Sequence, residues 1–379
     1  MFELLDVHAE RAEVERIWKP LSASVPHSYF LSWGWIENWL DNLPADRSLR
    51  LAVLDHGGVP FAAGFLGYGK VQRQGIFRSS AYLLNQTGDR TLDQFYIEDN
   101  SFLCAANAAH DWSSLLELLP DRWEEIYLSG LHLERPPGCW LGDVPKPYRV
   151  MIANRIPAPY VDLRAIAQKG GDYLAVIGSN TRSQIRRSYK LYGKVTTTVA
   201  ADRRSALEIF EELIELHQLW WNRRGCRGAF ASGHFRRLHR SLIERRFETG
   251  EIQLVRVSSG GSTIGCLYNF DYQGAVSFYQ SGLRIESDNR RKPGYLCHAE
   301  AIRHSLAAGR EVYDFMASFD EYKERMATHR RDLVWARIQK PKLKFTVERK
   351  LRTVALWAAA RYRAAQSGRR RPSRLEATA

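Results

Sequence analysis

Cysteine is scarce in this sequence, and its placement argues against the usual cysteine-based architectures. Five cysteines, at positions 104, 139, 226, 266 and 297, are spread over 379 residues, and no two form a C-x-x-C pair. An odd number of scattered thiols argues against a disulfide framework or a zinc ribbon and favours a reducing compartment. No apolar run approaches the ~18 residues of a membrane-spanning helix, and the opening MFELLDVHAERAEVERIW lacks the apolar centre of a signal peptide. We therefore predict a cytoplasmic protein.

Familiar catalytic signatures are also missing from the chain. It has no H-E-x-x-H, no Walker loop and no G-x-S-x-G, which mark zinc proteases, nucleotide-binding loops and serine hydrolases. His298-Ala299-Glu300 matches half of the zinc deaminase motif, but the P-C-x-x-C half is absent. We predict that no metal ion is involved.

The net charge of +13 invites a nucleic-acid-binding interpretation, but the charge is unevenly distributed. Residues 340–379 contain twelve Lys and Arg against Glu348 and Glu376, a balance of +10, which leaves about +3 for the rest of the chain. Within this segment, apolar residues can gather on one side of a helix: Val347, Leu351, Val354, Ala355, Ala358 and Tyr362. A basic amphipathic helix predicts weak association with an anionic membrane surface, such as the inner membrane.

The length of the chain exceeds one ordinary hydrophobic core and indicates two domains or a duplicated fold. Residues 1–160 alternate between helix-like and strand-like stretches, which predicts a mixed α/β unit. The later part contains a long helix at 202–221, a second helix, a three-strand meander within 251–283, and a helix at 295–308. A strand at 311–316 and a helix or turn complete this part.

One stretch, RRKPGYLCHAEAIRHSLAAG at 290–309, begins a helix with a cluster of positive charge. The N-terminus of a helix already carries partial positive charge, so Lys and Arg are normally favoured at the other end. An anion held by the backbone N–H groups of the first turn would explain the cluster. A solvated basic turn is the alternative.

This order of elements resembles the acyl-CoA N-acyltransferase (GNAT) fold. Arg291-Lys-Pro-Gly294-Tyr-Leu296 is similar to the Gln/Arg-x-x-Gly-x-Gly/Ala loop that holds the pyrophosphate of coenzyme A, with Leu296 in place of the small third residue. A longer pattern resembles the CelD-like branch, related to the FemAB aminoacyl transferases: His217-x-x-Trp220-Trp221-x-x-Arg224-Gly225, Phe278-Tyr279-x-x-Gly282, Pro293-Gly294, Gly309, Tyr313-Asp314-Phe315 and Tyr322-Lys323.

The resemblance implies two GNAT-like units in tandem within a mixed α/β fold. The expected domains are a degenerate unit at 1–160, an acyltransferase unit at 161–340, and a basic amphipathic helix with a disordered tail at 341–379. The implied activity moves an acyl group from a thioester, acyl-CoA, to a small-molecule or sugar-linked amine. CelD-like proteins are found beside exopolysaccharide and cellulose synthesis systems, so a role in these or in cell-envelope biosynthesis is the implied context.

The resemblance also assigns roles around the donor. Arg291, Lys292, Gly294 and Tyr279 would bind the donor. Tyr322 would protonate the departing thiolate, since the pKa of a phenol, about 10, lies above that of a thiol. Structural packing is the alternative for both tyrosines.

Further candidates concern the acceptor. Asp314 alternates with apolar neighbours and would hold the ammonium or take its proton, and a salt bridge to an arginine is the alternative. His217 is a candidate base, with packing as the alternative. The remaining candidates for binding the acceptor are Trp221, Arg224, Lys323, Arg182 and Arg186; a core tryptophan and a solvated basic helix face are the alternatives.

Two other functions stay open at this point. One is an aminoacyl-tRNA-dependent transferase of the FemAB type, which the basic charge and Leu296 would suit. The other is a non-catalytic protein of polysaccharide assembly or nucleic-acid binding. A transferase releases thiol from a thioester, whereas a binding protein does not.

Overall fold

The computed structural model of the protein describes residues 2–73, 77–95, 97–104, 112–120, 122–134, 138–351, 353–354 and 361. The elements of the first half are β1 (Phe2–Asp6), α1 (Arg11–Ser24), α2 (Trp33–Asp41), β2 (Leu49–His56), β3 (Val59–Arg73), β4 (Phe77–Leu84), β5 (Leu103–Cys104), α3 (Trp112–Leu118), β6 (Glu125–His132) and β7 (Arg149–Asp162). Those of the second half are α4 (Leu163–Gln168), α5 (Tyr173–Val176), α6 (Ser179–Tyr192), β8 (Val195–Val199), α7 (Arg203–Arg223), α8 (Gly233–Arg246), β9 (Ile252–Ser259), β10 (Ser262–Tyr272), β11 (Ala275–Leu283), α9 (Pro293–Ala307), β12 (Val312–Asp314), α10 (Glu321–Met326) and β13 (His329–Gln339).

Local sequence signals account for several of these boundaries. Helix α7 begins with a capping box. The Asp202 carboxylate accepts a hydrogen bond from the Ser205 N–H, and the Ser205 hydroxyl oxygen accepts one from the Asp202 N–H. Helix α9 has Pro293 in its first turn, where the missing N–H costs nothing. The meander turns through Gly260-Gly261 and Gln273-Gly274, which all have positive φ, as the tight hairpins of twisted strands require.

The two halves repeat one topology within a single mixed sheet. The strand order is β1-β2-β3-β4-β6-β13-β7-β12-β11-β10-β9-β8, with β5 paired to β3. Each half has a three-strand antiparallel meander, followed by one parallel pair: β4 with β6 in the first half and β11 with β12 in the second. The expected mixed α/β fold with tandem GNAT-like units is therefore confirmed.

The halves exchange strands at the centre of the sheet. The last strand, β13, lies between β6 and β7 and pairs antiparallel with both. Strand β7 in turn pairs with β12 of the second half, from Val312 opposite Asp162 to Asp314 opposite Tyr160. Since β7 pairs with two strands of the second half, and β13 pairs with β6 of the first, the domain limits at 160 and 340 stay a prediction.

The helices of both halves also share a hydrophobic core. Buried side chains of α1, α2, α7 and α8 form one cluster with the strands, including Trp35 and Phe270, whose rings meet edge to face at 5.8 Å. The side-chain amide of Asn38 in α2 donates to the Leu238 carbonyl in α8 at 3.0 Å. A second cluster lies beneath α4, α5, α6, α9 and α10, and a third beneath α3.

Most helices and strands fall where the sequence predicts them, but the sheet centre does not. The expected short strand near 158 is the end of the longer β7. Strand β13 was not predicted, because its sequence HRRDLVWARIQ carries four charged residues. Three of these charges have partners in the structure: Arg330 lies 3.8 Å from Glu324, Arg331 contacts Asp314, and Arg337 lies 3.9 Å from Glu348.

The crossing of α7 over β11 yields a stability prediction. A Cβ added at Gly282 would lie 2.3 Å from the Leu213 carbonyl oxygen, which belongs to the rigid backbone of α7. Gly282→Ala should lower the free energy of unfolding by about 1–3 kcal/mol, the usual cost of overpacking, in urea denaturation. Gly142, which has nothing within 4 Å of its added Cβ, provides the control as Gly142→Ala. Equal stability of the two variants would contradict the close approach.

Candidate active site

The parallel strands β11 and β12 separate after a short paired stretch. They pair only from Ala275–Val312 to Ser277–Asp314. The chain then turns at Met316, which has a φ of 60° and whose N–H donates to Asp314 Oδ1 at 2.8 Å. A wedge-shaped opening results between the end of β11 and residues 315–317.

One face of this opening is lined by α9 and α10. Lys323 is buried, and its ammonium donates to the Phe315 carbonyl at 2.8 Å and lies 5.2 Å from the Phe278 ring centre. Burial lowers the pKa of Lys323, against the opposing effect of Glu98 and two aspartates. Lys323 was predicted to bind substrate; the structure places its ammonium where it holds the turn after β12.

Tyr322 stands beside Lys323 on the same face. Its half-buried ring lies 6.2 Å from that of Tyr295 and 5.9 Å from that of His298, measured between centres. Burial, followed by the nearby Asp320 and Tyr295, raises the pKa of Tyr322 above its ordinary value. The phenol therefore keeps its proton across the physiological pH range and can donate it.

His298 belongs to the packing of this face. Its Nδ1 lies 2.9 Å from the Tyr313 hydroxyl, and its ring meets Phe278 edge to face at 4.5 Å. Burial, and then the charge of Lys323, lowers the pKa of His298 to about 3. A neutral histidine among aromatic rings fits the absence of a metal motif at 298–300 in the sequence. Among the described residues, no group of three or more His, Cys, Asp or Glu side chains is placed to hold a metal ion.

The basic turn before α9 carries its own counter-charges. Arg290 pairs with Asp288 at 2.9 Å, and Arg291 lies 3.5 Å from Glu286, which also holds Arg284 at 2.6 Å. These carboxylates neutralise part of the cluster of positive charge that precedes α9. Unlike the arginines, Lys292 has no ion-pair partner among the described residues.

The first turn of α9 can still receive an anion. The backbone N–H of Lys292 donates to the Ser188 hydroxyl at 3.1 Å, and the N–H groups of Gly294 and Tyr295 lie in the first turn, where a helix has no internal acceptors. Leu296 is fully buried in the core beneath α9. Its side chain therefore leaves the loop open, and this departure from the family pattern does not obstruct a donor phosphate.

On the other face of the sheet, the opening meets a cavity between the two halves. The cavity has a volume of about 1040 Å³ and is lined by residues of both halves, including Tyr29, Glu98 and Asp99 from the first and Tyr272, Ser277 and Asp314 from the second. Ser277 and Asp314 form the last pair of β11 and β12. The cavity therefore ends where the strands begin to separate.

Four ionisable side chains meet at this point. Arg331 of β13 lies 2.5 Å from Asp314 and 3.1 Å from Asp99. Both oxygens of Glu98 lie 2.8 Å from the N–H of Ala317, and the side chain is 6% exposed. Burial, and next the Asp314 carboxylate, raise the pKa of Glu98 to about 8. Asp314, predicted to be catalytic, is engaged by Arg331 and by the Met316 N–H.

Glu98 was missed by the sequence reasoning. It belongs to the first half, in the stretch IEDN at 97–100, and is distant in sequence from every candidate near 314–323. The only signal was an acidic pair after an apolar residue, which many exposed loops share.

The segment that carries Glu98 fills the corresponding opening of the first half. Asn100 donates through its side chain to the Leu84 carbonyl of β4 at 3.2 Å, and through its backbone to the Gly130 carbonyl of β6 at 3.0 Å. A Cβ at Gly130 would lie 2.5 Å from the Ile97 carbonyl, so the segment is tightly inserted. The first half is therefore blocked at the position where the second half opens.

The candidates on α7 form a separate cluster. Trp221 Nε1 donates to His217 Nε2 at 2.9 Å, and His217 Nδ1 lies 3.1 Å from Gln218 Oε1, so both ring nitrogens are engaged. Burial lowers the pKa of His217. Arg224 lies over Trp220, at 3.6 Å from the ring centre, rather than over Trp221. This geometry favours the packing interpretation of His217.

The remaining candidates lie at opposite faces. Tyr279 is buried on the side of α7 and α8, where it stacks with Phe235, and it is not among the residues that line the inter-half cavity. Arg182 donates to the carbonyls of Leu174 and Ala175 at the end of α5, at 3.2 and 3.4 Å. Arg186 is exposed on α6. The structure therefore does not bring these residues together.

A sequence profile of the acetyltransferase (GNAT) domain family matches residues 179–324, from the start of α6 into α10. This part of the chain therefore carries a GNAT-type acyltransferase domain. This match contains the opening between β11 and β12, the start of α9 and Tyr322. No protein of curated function matches the sequence.

Solved structures are similar to the chain over most of its length. FemX is similar with a TM-score of 0.53 at 10% identity, over 88% of this chain and 96% of FemX. A conserved protein of unknown function from Bacteroides thetaiotaomicron is similar with a TM-score of 0.51 at 12% identity, over 90% of this chain and 100% of that protein. A C-terminal domain described as part of a lysylphosphatidylglycerol synthetase from Agrobacterium fabrum is similar with a TM-score of 0.51 at 13% identity, over 88% of this chain and 93% of that domain. At such identities the likeness establishes the fold alone.

The raised pKa of Glu98 makes stability depend on pH. Between about pH 4.5 and 8 the folded protein keeps a proton on Glu98 that the unfolded chain releases, so folding is progressively less favoured as pH rises through this window. Wild type should therefore lose stability relative to Glu98→Gln from pH 5 to 8, by up to about 1.4 kcal/mol per pH unit, and level off above pH 8. Denaturant titrations at each pH measure the difference, and Glu117→Gln, exposed on α3, is the control. A constant difference would show that Glu98 titrates normally.

Proposed function

We propose that the protein transfers an acyl group from a thioester, acyl-CoA, to an amine. The observation that supports this function best is the opening between β11 and β12, which has the start of α9 on one side and the inter-half cavity on the other. A donor with a phosphate would bind at α9, and an acceptor would reach the same opening from the cavity. The resemblance to the CelD-like branch favours an acceptor of exopolysaccharide, cellulose or cell-envelope biosynthesis.

The chemistry needs an attacking amine and a protonated leaving group, and no covalent enzyme intermediate. The amine nitrogen forms a bond to the thioester carbonyl carbon while the carbon–sulfur bond breaks. The amine loses one proton to a base, and the sulfur receives one from Tyr322. The residues of this chain therefore hold the two substrates together and move these two protons.

A second candidate, transfer from aminoacyl-tRNA, is favoured by the surface of α6. This helix contains no acidic residue, and Arg186, Arg187 and Lys190 are exposed on it. The Ser188 hydroxyl of α6 also meets the start of α9, so the basic face adjoins the proposed donor site. Native mass spectrometry with coenzyme A and with tRNA, offered separately, distinguishes the two donors.

Tyr322 provides the test of the transferase. Tyr322→Phe keeps the ring and removes the proton, so kcat should fall by about 10²–10⁴-fold with donor affinity and melting temperature nearly unchanged. Thiol release from acyl-CoA in the presence of an amine measures the rate. Tyr82→Phe, a buried tyrosine of the first half, is the control. Undiminished turnover by Tyr322→Phe would return this tyrosine to a packing role.

We also propose that the protein is cytoplasmic and associates weakly with anionic membranes. Residues 343–351 and 353–354 are helical, and four apolar side chains on one side of this helix are exposed: Leu343, Val347, Leu351 and Val354. The opposite side is buried through Phe345 and Glu348, and Glu348 pairs with Arg73 at 2.7 Å. Ala355, Ala358 and Tyr362 lie outside the described residues. Among described residues, no helix is both long and apolar enough to cross a membrane.

Substitutions on the exposed side of this helix test the membrane association, because they leave its buried side unchanged. Leu343→Ser combined with Leu351→Ser should weaken binding to phosphatidylglycerol vesicles several-fold in co-sedimentation, since both apolar area and basic charge support such binding. Wild-type binding should decrease with added salt and be weak on phosphatidylcholine. Val59→Ser, at an equally exposed valine of the first half, controls for general surface polarity. Vesicle binding that the double variant retains in full would rule out this helix as the contact.

A further inference from the structure

The cavity between the halves is acidic, although the chain as a whole carries a net charge of +13. Among the described residues, six carboxyl groups line it: Glu98, Asp99, Glu134, Glu311, Asp314 and Asp332. Only three guanidinium groups face them, from Arg155, Arg330 and Arg331. The cavity therefore attracts a cation and repels a phosphate, in contrast to the start of α9 and the surface of α6.

The cavity also contains acceptor groups without partners. Oδ1 of Asp99 is buried and has no hydrogen-bond partner among the described residues, although the other oxygen pairs with Arg331. The oxygens of Glu98 share one N–H, that of Ala317, so each retains lone pairs for another donor. Unsatisfied buried acceptors are costly, and an ammonium group, with three N–H donors, is suited to them.

The position of Glu98 relates these acceptors to the reaction. Its partner Ala317 belongs to residues 315–317, which form one edge of the opening between the strands. Ser277 and Asp314, at the end of the strand pairing, line the same cavity. An amine beside Glu98 would therefore lie at the point where a thioester in the opening presents its carbonyl carbon.

We propose that this cavity binds the acceptor as a free cationic amine without a phosphate, and that Glu98 of the first half removes its proton. This inference rests on the proposed function and names its acceptor class and its base. One ammonium proton passes to a Glu98 oxygen, the nitrogen lone pair attacks the thioester carbon, and the leaving sulfur takes its proton from Tyr322. As the amide forms, the nitrogen gives up its second proton, which restores the Tyr322 phenol, and the proton on Glu98 passes to solvent, so that atoms and charge balance.

The surroundings of Glu98 set its charge before and after the amine binds. The charged groups that face it are Asp99 on its own segment, Asp314 at the end of β12, Arg331 on β13 and Lys323 on α10. Burial, and next the Asp314 carboxylate, raise the pKa of Glu98 most strongly, so the Glu98 carboxyl holds a proton at pH 7 in the free protein. A bound ammonium group favours the ionised form of Glu98. Binding of the amine therefore releases one proton from the site, either from the Glu98 carboxyl or from the ammonium group.

Calorimetry measures this proton directly. Amine binding at pH 7 is titrated in buffers of different ionisation enthalpy, with two sets of probes: glucosamine, N-acetylglucosamine and glucosamine 6-phosphate, and putrescine with N,N′-diacetylputrescine. We expect the free amines to bind at least 10-fold more tightly than their acetylated or phosphorylated counterparts. Wild type and the control Glu117→Gln should release close to one proton per amine bound, and Glu98→Gln close to none.

Turnover separates this inference from the function on which it rests. With an amine that wild type acylates, Glu98→Gln should lower kcat at least 100-fold without changing acyl-CoA affinity, the scale of a positioned base. Unchanged turnover and proton release in a folded Glu98→Gln would overturn the role of Glu98 while the transferase stands. Equal binding of acetylated, phosphorylated and free amines would overturn the acceptor class. Amine-selective binding with proton release, but without thiol release from acyl-CoA, would support the amine site and refute the transferase.

Discussion

The exchange of β7 and β13 at the centre of the sheet is the constraint on which the rest of the structure depends. Strand β13, the last of the described strands, closes the first half against β6, and β7, a strand of the first half, closes the second half against β12. The two halves are joined by continuous backbone hydrogen bonds as well as by the shared core of α1, α2, α7 and α8. They therefore cannot hinge about a linker as ordinary tandem domains do.

This exchange also determines the composition of the candidate site. Arg331 comes from β13, Asp314 from β12 and Asp99 from the segment inserted between β4 and β6, and the three meet because the exchanged strands bring these ends together. The segment that blocks the opening of the first half carries Glu98 to the opening of the second. One copy of a duplicated fold has thus lost its own opening and contributes to the lining of the other.

Sequence patterns predicted what depends on local or repeated signals. The helix periodicity of α7, the glycine turns of the meander and the Pro-Gly start of α9 each reflect neighbouring residues, and all three appear as predicted. The mixed α/β class followed from the order of these elements, and the tandem arrangement followed from the resemblance to FemAB-type proteins. The charged strand β13 could not be recognised, because its arginines are paired with carboxylates outside the strand, and one of these, Asp99, lies in the other half.

The candidate site shows the same division between local and distant signals. Tyr322 and Lys323 lie beside the opening because they directly follow β12, whereas Glu98 enters from a loop of the other half. A pattern within one half contains no information on which loop of the other half will contact it. His217 illustrates the converse: a polar residue in an apolar helix pattern is satisfied by Trp221, one helical turn away.

The late position of β13 has a consequence for biosynthesis. Its pairing partners β6 and β7 are made more than 160 residues earlier, and they have no bonded neighbour on their facing edges until β13 has left the ribosome. During that time both halves expose unpaired strand edges, which are the usual templates for intermolecular association. Completion of the sheet therefore depends on contacts that are distant in sequence, and such contacts form slowly. The nascent chain therefore keeps these two edges open to association until β13 is available.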